Sequence, residues 1–114
     1  MKSSATLLRV RVVEAPEERV SEAELRYRVP GDLLNAAGDH AAAEQHYHRA
    51  IEIAEGQGAR LLQLRASISL ARLWRDQGRR AEARDLLRLI YDWFTEGFDV
   101  PILKEAKAVL DELV

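Results

Sequence analysis

The sequence predicts an all-α fold in which about five helices pack as antiparallel hairpins and a C-terminal helix caps the last hairpin. Three features of the chain from Ser21 onward point to this class. Apolar residues recur at spacings of three and four, the period of a helix with one buried face. Glycines stand where each apolar run stops. Only two to four residues separate one run from the next, so consecutive helices are expected to lie antiparallel.

The boundaries of the helices follow from proline, glycine and capping residues. The first helix begins near Ser21, and Pro30 is expected to kink or restart it, because proline removes a backbone hydrogen bond. Asp99 is the predicted cap of the last helix, which tolerates Pro101 in its first turn. The remaining helices are predicted at about 40–57, 59–77, 80–95 and 99–113.

Residues 1–20 do not share the helical pattern. Leu8, Val10 and Val12 alternate with arginines, and this period of two is typical of a strand. A single strand has no partner inside a helical chain, so we expect an irregular or disordered arm. The alternatives are that the strand pairs with a second copy or belongs to a domain missing from this sequence. The helical domain is accordingly placed at 21–114.

Composition limits the classes of protein to which the chain belongs. A length of 114 residues, with 47% hydrophobic and 32% charged residues, fits one soluble domain. The net charge of −2 argues against a nucleic-acid-binding arm, and the lack of cysteine excludes disulfides and thiolate chemistry. No apolar run approaches the roughly 20 residues of a membrane span. We therefore expect a cytoplasmic protein that binds neither nucleic acid nor membrane.

Two stretches of the sequence repeat one another at an offset of 40 residues. Each has a turn glycine, a small residue five positions later, a large apolar residue four further on, and a small or apolar residue after three more. The members are Gly38, Ala43, Tyr47 and Ala50 in the first copy and Gly78, Ala83, Leu87 and Ile90 in the second. Small residues let neighbouring helices approach closely, and the large residue fills the space beside them.

This frame resembles the tetratricopeptide repeat (TPR), whose first helix adds an aromatic residue and a small residue four positions later. Tyr27 and Gly31 match these positions in the first copy, whereas Ser67 and Ala71 match them more loosely in the second. The resemblance implies an α-solenoid with repeats at about 24–57 and 64–97, followed by the capping helix. The packing residues that it implies are Tyr27, Gly31, Ala43, Tyr47, Ala50, Ala71, Ala83 and Leu87.

A narrower resemblance rests on the string WFTEGFD at residues 93–99, together with the runs at 70–78 and 103–106. These stretches are similar to the C-terminal region of large bacterial signalling proteins. Those proteins are predicted ATPases, often fused to a nucleotide cyclase or a transcriptional regulator, that finish in degenerate TPRs. The similarity covers about 22–114 and implies that this chain is such a terminal module. The glycines of the chain lie where helices stop or kink, so no phosphate-binding loop is predicted.

Candidate catalytic and metal-binding residues form no pattern. His40, His46 and His48 are spaced six and two residues apart, and the last two point about 200° apart on a helix, so they cannot share a metal. The acidic pairs have no serine, histidine or cysteine placed beside them for catalysis. We predict no enzyme activity, no metal and no cofactor.

Four aromatic residues near the C-terminal half fall at helical spacing. We interpret them as core residues, or as a cover for the last helix, rather than as a ligand box. They are Trp74, Trp93, Phe94 and Phe98.

The arginines indicate a binding surface. Eight of them lie within residues 60–88 against three carboxylates. Arg65, Arg72 and Arg75 share one face of the third helix at steps of seven and three. The first helix of each repeat lines the concave groove of a TPR superhelix. The groove residues that the resemblance implies are Arg28, Asn35, Arg65, Arg72 and Arg75.

Such a groove would hold carboxylates through bidentate hydrogen bonds, so the predicted partner is an acidic protein or peptide. The alternative is a set of solvated arginines paired locally, such as Arg72 with Asp76 and Arg28 with Asp32. The function predicted from the sequence is a non-catalytic protein–protein interaction scaffold. A self-associating structural unit with no separate ligand is the alternative. In either case two and a half repeats are marginal alone, so we expect the fifth helix to cover one open edge and a second copy or a missing domain to cover the other, and we predict a homo-oligomer.

Overall fold

The computed structural model describes residues 23–113, and these residues form five α-helices preceded by one π-helical turn. The predicted arm at residues 1–20 lies outside the described residues. The elements are the π turn Glu24–Arg28, α1 Val29–Ala36, α2 His40–Gly56, α3 Arg60–Asp76, α4 Arg80–Tyr91 and α5 Pro101–Glu112. This architecture confirms the predicted all-α class, with two helix hairpins followed by a single C-terminal helix.

Three glycines set the links between the first four helices. Gly38, Gly58 and Gly78 have φ values of +92°, +68° and +84°, a conformation that costs glycine little. In each link the glycine N–H donates to the carbonyl three residues back, and the next N–H donates to the carbonyl five residues back. This is the Schellman arrangement that ends a helix sharply. Consecutive helices are therefore antiparallel neighbours, as predicted.

The proline of the first helix is accommodated by the π turn. Pro30 has no N–H, and its ring would clash with the carbonyl four residues earlier in a regular helix. The chain instead widens over Glu24–Arg28, where the Val29 N–H donates to the Glu24 carbonyl five residues back. A single wide turn absorbs a helix irregularity without breaking the helix. The predicted interruption is thus a π turn that leads directly into α1.

Helix α3 lies at the centre of the fold, in contact with α2, α4 and α5. It is buried on more than one face, as expected for a helix with neighbours on several sides. Its fully buried residues include Leu64, Ile68, Leu70 and Leu73. Helix α3 therefore holds the two hairpins and the C-terminal helix in one core.

The small residues of the repeat frame are buried between the helices. Ala43, Ala50, Ala71 and Ala83 are each at most 1% exposed, and the larger Tyr47 and Leu87 are buried beside them. Tyr27 is half-buried, with its ring 6.0 Å from that of His46.

Gly31 lies in a close contact between the first helix and α2. A Cβ atom added there would lie 2.8 Å from Cε1 of Tyr47. The contact between the first helix and α2 therefore leaves no room for a Cβ atom at this position unless the Tyr47 ring shifts.

Helix α5 begins later than the sequence predicted. Its cap is Val100 rather than Asp99, and the Val100 carbonyl accepts the N–H groups of Leu103 and Lys104, each at 3.1 Å. Pro101 supplies the first helical residue, where its missing N–H has no intrahelical partner to lose. Leu103, together with Ala106, Val109 and Leu110, packs into the core. The C-terminal helix therefore covers the apolar faces of α3 and α4.

The prediction that the four aromatic residues belong to the core or cover the last helix fails as a core assignment for two of them. Trp74 is 9% exposed, but Trp93 is 55% exposed and Phe98 is 43% exposed. Helix α4 ends at Tyr91 rather than near residue 95, so Trp93 leaves the helical register that placed it inside. Phe98 lies in the loop before α5. Trp93 lies edge-on to Phe94, with ring centroids 5.1 Å apart.

Candidate partner-binding groove

A groove of about 410 Å³ lies between α1, α3 and α5, with Tyr47 of α2 in its lining. Its polar lining comes from helices that run side by side, so rigid backbone positions each group. Arg28, from the π turn, and Asn35 line one side, and Arg65, Ser69 and Arg72 of α3 line another. Four of the five residues that the sequence predicted for a binding groove are therefore brought together.

Arg75 does not line the groove. It follows Arg72 by three residues, which moves it almost one turn along α3. Its side chain forms ion pairs with Asp76 at 3.1 Å and with Glu112 of α5 at 2.5 Å. The prediction that Arg75 shares the groove is thus wrong, because the C-terminal end of α5 holds it outside.

Arg28 is neutralised by carboxylates of its own helix. It pairs with Glu24, and its Nη1 atom lies 2.9 Å from Oδ2 of Asp32. The other oxygen of Asp32 accepts a hydrogen bond from the Tyr47 hydroxyl at 2.5 Å. Burial first, and then this hydrogen bond, raises the pKa of Tyr47 above its ordinary value. The local Arg28–Asp32 pair is present as the alternative interpretation expected, and it is anchored to α2.

Arg72 is neutralised across the groove. Its Nη2 atom lies 2.7 Å from Oε2 of Glu105 on α5. The predicted local partner, Asp76, pairs with Arg75 instead. The interpretation that Arg72 pairs with Asp76 is therefore wrong, because α5 brings a carboxylate to the groove face of α3 that the helix itself does not supply there.

Arg65 differs from the other two groove arginines. Its side chain is exposed, and within residues 23–113 no carboxylate forms an ion pair with it. Ser69 and Arg72 follow at steps of four and three on the same helix face. Asn35 stands across the groove, with its Oδ1 atom 2.6 Å from Nδ1 of His40. An acidic group entering the groove would therefore meet an uncompensated guanidinium at Arg65.

The groove also has an apolar side. Ile68 of α3 and Ile102 of α5 belong to its lining, and Pro101 lies at the start of α5 beside them. Ile68 is buried and Ile102 is half-buried. A ligand would therefore contact both charged and apolar surface, as is usual in specific protein sites.

Comparison with known families identifies the protein family to which the chain belongs. A sequence model of the tetratricopeptide repeat family matches residues 30–94, which is more than half of the 114 residues. The chain belongs to the tetratricopeptide repeat family. A search of curated proteins and a search of solved structures each found no match. The matched TPR region runs from α1 through the end of α4, and α5 lies beyond it.

The three histidines of the TPR domain serve local contacts. His46 Nδ1 lies 2.9 Å from the Ala42 carbonyl, and His48 Nε2 lies 3.5 Å from a carboxylate oxygen of Glu44. Over residues 23–113, no group of three or more His, Asp or Glu side chains is placed to hold a metal ion. None of the helices in this range has the length and apolar character needed to cross a membrane.

Sequence reasoning missed two polar groove residues of the TPR domain. Ser69 lies four residues after Arg65 and three before Arg72, so the helical period of the arginine face contained the signal for it. No comparable sequence pattern indicated that Glu105 would line the groove. Its place depends on how α5 docks beside α3, which the periodicity of α5 alone does not specify.

Proposed function

We propose that this TPR domain is a non-catalytic protein-interaction module whose groove holds an acidic segment of a partner protein. Repeats of this family generally mediate protein–protein interaction. The observation that carries the proposal is Arg65, a guanidinium without a carboxylate partner among the described residues, set between Asn35 and Arg72 in a groove of about 410 Å³.

Physical chemistry favours an acidic ligand for such a site. Guanidinium groups bind carboxylates with two parallel hydrogen bonds, and helices fix their attachment points, so less freedom is lost on binding. A charged hydrogen bond contributes roughly 1.5–3 kcal/mol when partly buried, whereas an exposed pair contributes under about 1 kcal/mol and weakens with salt. Binding through this groove should therefore be selective for acidic segments and sensitive to ionic strength.

The spacing of the arginines defines a probe. Arg65 and Arg72 lie seven residues apart on α3, which is about 10.5 Å along the helix axis. Two aspartates three residues apart in a polyproline II conformation lie on the same face of the peptide, because that helix has three residues per turn, and they span about 9 Å. The probe is a peptide with aspartates at its first and fourth positions, fluorescein at the amino end and an amide at the carboxyl end. A second peptide with a free carboxyl end distinguishes internal acidic side chains from a terminal carboxylate.

The test is the double variant Arg65→Ala/Arg72→Ala, measured by fluorescence anisotropy at low salt. It should weaken probe binding at least about tenfold, or about 1.4 kcal/mol, while the melting curve stays cooperative. The matched control is Arg84→Ala/Arg88→Ala, which removes the same charge from exposed positions of α4. Equal losses in both double variants would show general charge attraction and contradict the proposal.

We also propose, more narrowly, that the domain is the terminal module of a bacterial signalling protein that carries an ATPase or a nucleotide cyclase and works in the cytoplasm. The resemblance of residues 93–99 supports this proposal. The adjoining coding sequence tests it: a phosphate-binding glycine loop upstream, in the same reading frame, is the expected result. Neighbouring sequence with no such domain would contradict it.

A second candidate function is self-association. Leu25 in the π turn and Leu33 in α1 are large apolar side chains exposed on the first described helix. An exposed apolar edge of a short solenoid is a surface that a second copy can cover. Size-exclusion chromatography with light scattering should then show a dimer that Leu25→Glu/Leu33→Glu dissociates. A wild-type monomer at micromolar concentration would contradict this candidate.

A further inference from the structure

The three groove arginines differ in how their charge is compensated. Arg28 is held by Glu24 and Asp32 of its own helix, and Arg72 is held by Glu105 of α5. Arg65 has no carboxylate partner among residues 23–113. Within the described part of the chain, the groove therefore contains one cationic position without a carboxylate partner, at Arg65, and two positions that carboxylates of the protein itself compensate, of which only Arg72 is compensated from α5.

The packing of α5 places Glu105 at Arg72. Leu103 and Ala106 flank Glu105 in sequence and are buried in the core, so the backbone of α5 is fixed beside α3. The Glu105 side chain itself is 40% exposed, and that of Arg72 is 44% exposed. The pair is thus positioned by buried neighbours but is open to solvent, and an entering ligand can reach both partners.

We propose that Glu105 is a built-in competitor for the acidic ligand of the groove. A ligand carboxylate binds Arg65 first. A second carboxylate of the ligand binds Arg72 only when it displaces Glu105. Helix α5 thereby sets the affinity of the groove from outside the family-matched region. This inference rests on the function proposed above, because it assumes that the groove binds acidic segments.

The strength of the Arg72–Glu105 pair decides the size of the effect. Solvent-exposed ion pairs are weak because both groups are well hydrated when separated. A ligand can therefore displace Glu105, but it binds less tightly than it would to a free Arg72. Glu105→Gln keeps the shape of the side chain and removes its charge. It should tighten binding of the two-aspartate probe about two- to fivefold, the range of one exposed pair.

A matched control separates competition from overall charge. Glu112 lies on the same helix and pairs with another arginine of α3, Arg75, outside the groove. Glu112→Gln makes the same charge change about 10.5 Å further along α5. In titrations at about 0.15 M salt, where the Debye length is about 8 Å, it should alter probe affinity by less than about 1.5-fold. In an Arg72→Ala background, Glu105→Gln should also lose its effect, since no guanidinium is left for which Glu105 competes.

The test is a set of anisotropy titrations, and a cooperative melting curve checks that each protein is folded. The proteins compared are wild type, Glu105→Gln, Glu112→Gln and Arg65→Ala. Tighter binding by Glu105→Gln alone supports the competitor. Equal tightening by both glutamine variants overturns it in favour of general charge. Loss of binding in Arg65→Ala with no change in Glu105→Gln overturns the competitor and leaves the proposed function standing. No probe binding by any variant overturns both. If Glu105→Gln does not fold, Glu105→Ala provides the same comparison.

Discussion

At the scale of residues, one contact fixes the first helix against α2. Gly31 lies against the ring of Tyr47, and the hydroxyl of Tyr47 donates to Asp32, which in turn pairs with Arg28. The same side chain therefore fills the close contact between helices and orients a carboxylate at the edge of the groove. Tyr47 contributes both to helix packing and to the charge distribution of the groove, so a substitution of Tyr47 is expected to affect both.

Gly31→Ala should destabilise the fold by about 1–3 kcal/mol, because its Cβ would lie 2.8 Å from the buried ring of Tyr47 and would force that ring or the helix to shift. Better helix propensity of alanine offsets at most about 1 kcal/mol of this cost. The control is Gly56→Ala in α2, where an added Cβ meets nothing within 4 Å. Urea unfolding measures both variants. A Gly31→Ala protein as stable as Gly56→Ala would contradict the close contact.

Alkaline pH should expose the role of the Tyr47 hydroxyl. Burial and the hydrogen bond to Asp32 raise the pKa of Tyr47 in the folded protein, whereas the unfolded chain ionises near its ordinary value of about 10. The stabilisation is therefore complete below about pH 10 and is lost progressively at higher pH. Tyr47→Phe lacks this loss. Unfolding free energies of the two proteins at pH 9 and pH 11 test it, and equal losses in both would contradict the assignment.

At the scale of elements, the local sequence pattern predicted the helices better than it predicted their irregular ends. Gly38, Gly58 and Gly78 determine their turns through backbone conformation alone, so their positions were readable from the sequence. The π turn before Pro30 was not, because several backbone arrangements accommodate a proline and tertiary packing selects among them. The early end of α4 likewise depends on how the following loop and α5 pack. The sequence did not indicate it, so the prediction placed Trp93 in the core.

The docking of α5 should contribute directly to the stability of the whole domain. Leu103 is 2% exposed in the core formed with α3 and α4. Leu103→Ala should cost about 2–5 kcal/mol of unfolding free energy, because in a solenoid the interface with a neighbouring helix supplies much of the stability of each unit. Leu89→Ala, at a position 80% exposed on α4, is the control and should change it by less than about 0.5 kcal/mol. Similar losses at both sites would contradict the capping role.

At the scale of the whole molecule, the sequence predicted the groove in outline but not its charge balance. The helical period brought Arg28, Asn35, Arg65 and Arg72 to one surface, since residues of one helix face stay together when the first helices of successive hairpins align. The helical period could not predict ion pairs between residues that are far apart in the sequence. Glu105 and Glu112 reach α3 only after α5 docks, and they determine that Arg72 is compensated and that Arg75 is withdrawn from the groove.

The most direct test of the central claim is an amide chemical-shift map of the domain titrated with the two-aspartate probe. We expect the largest shifts to fall on α1, α3 and α5 around Arg65, Ser69 and Glu105, and to shrink as salt is raised, because the contacts are charged and partly exposed. Shifts centred on the exposed face of α4, around Arg84 and Arg88, or an absence of saturable shifts at low salt, would contradict the assignment of the groove as the binding surface.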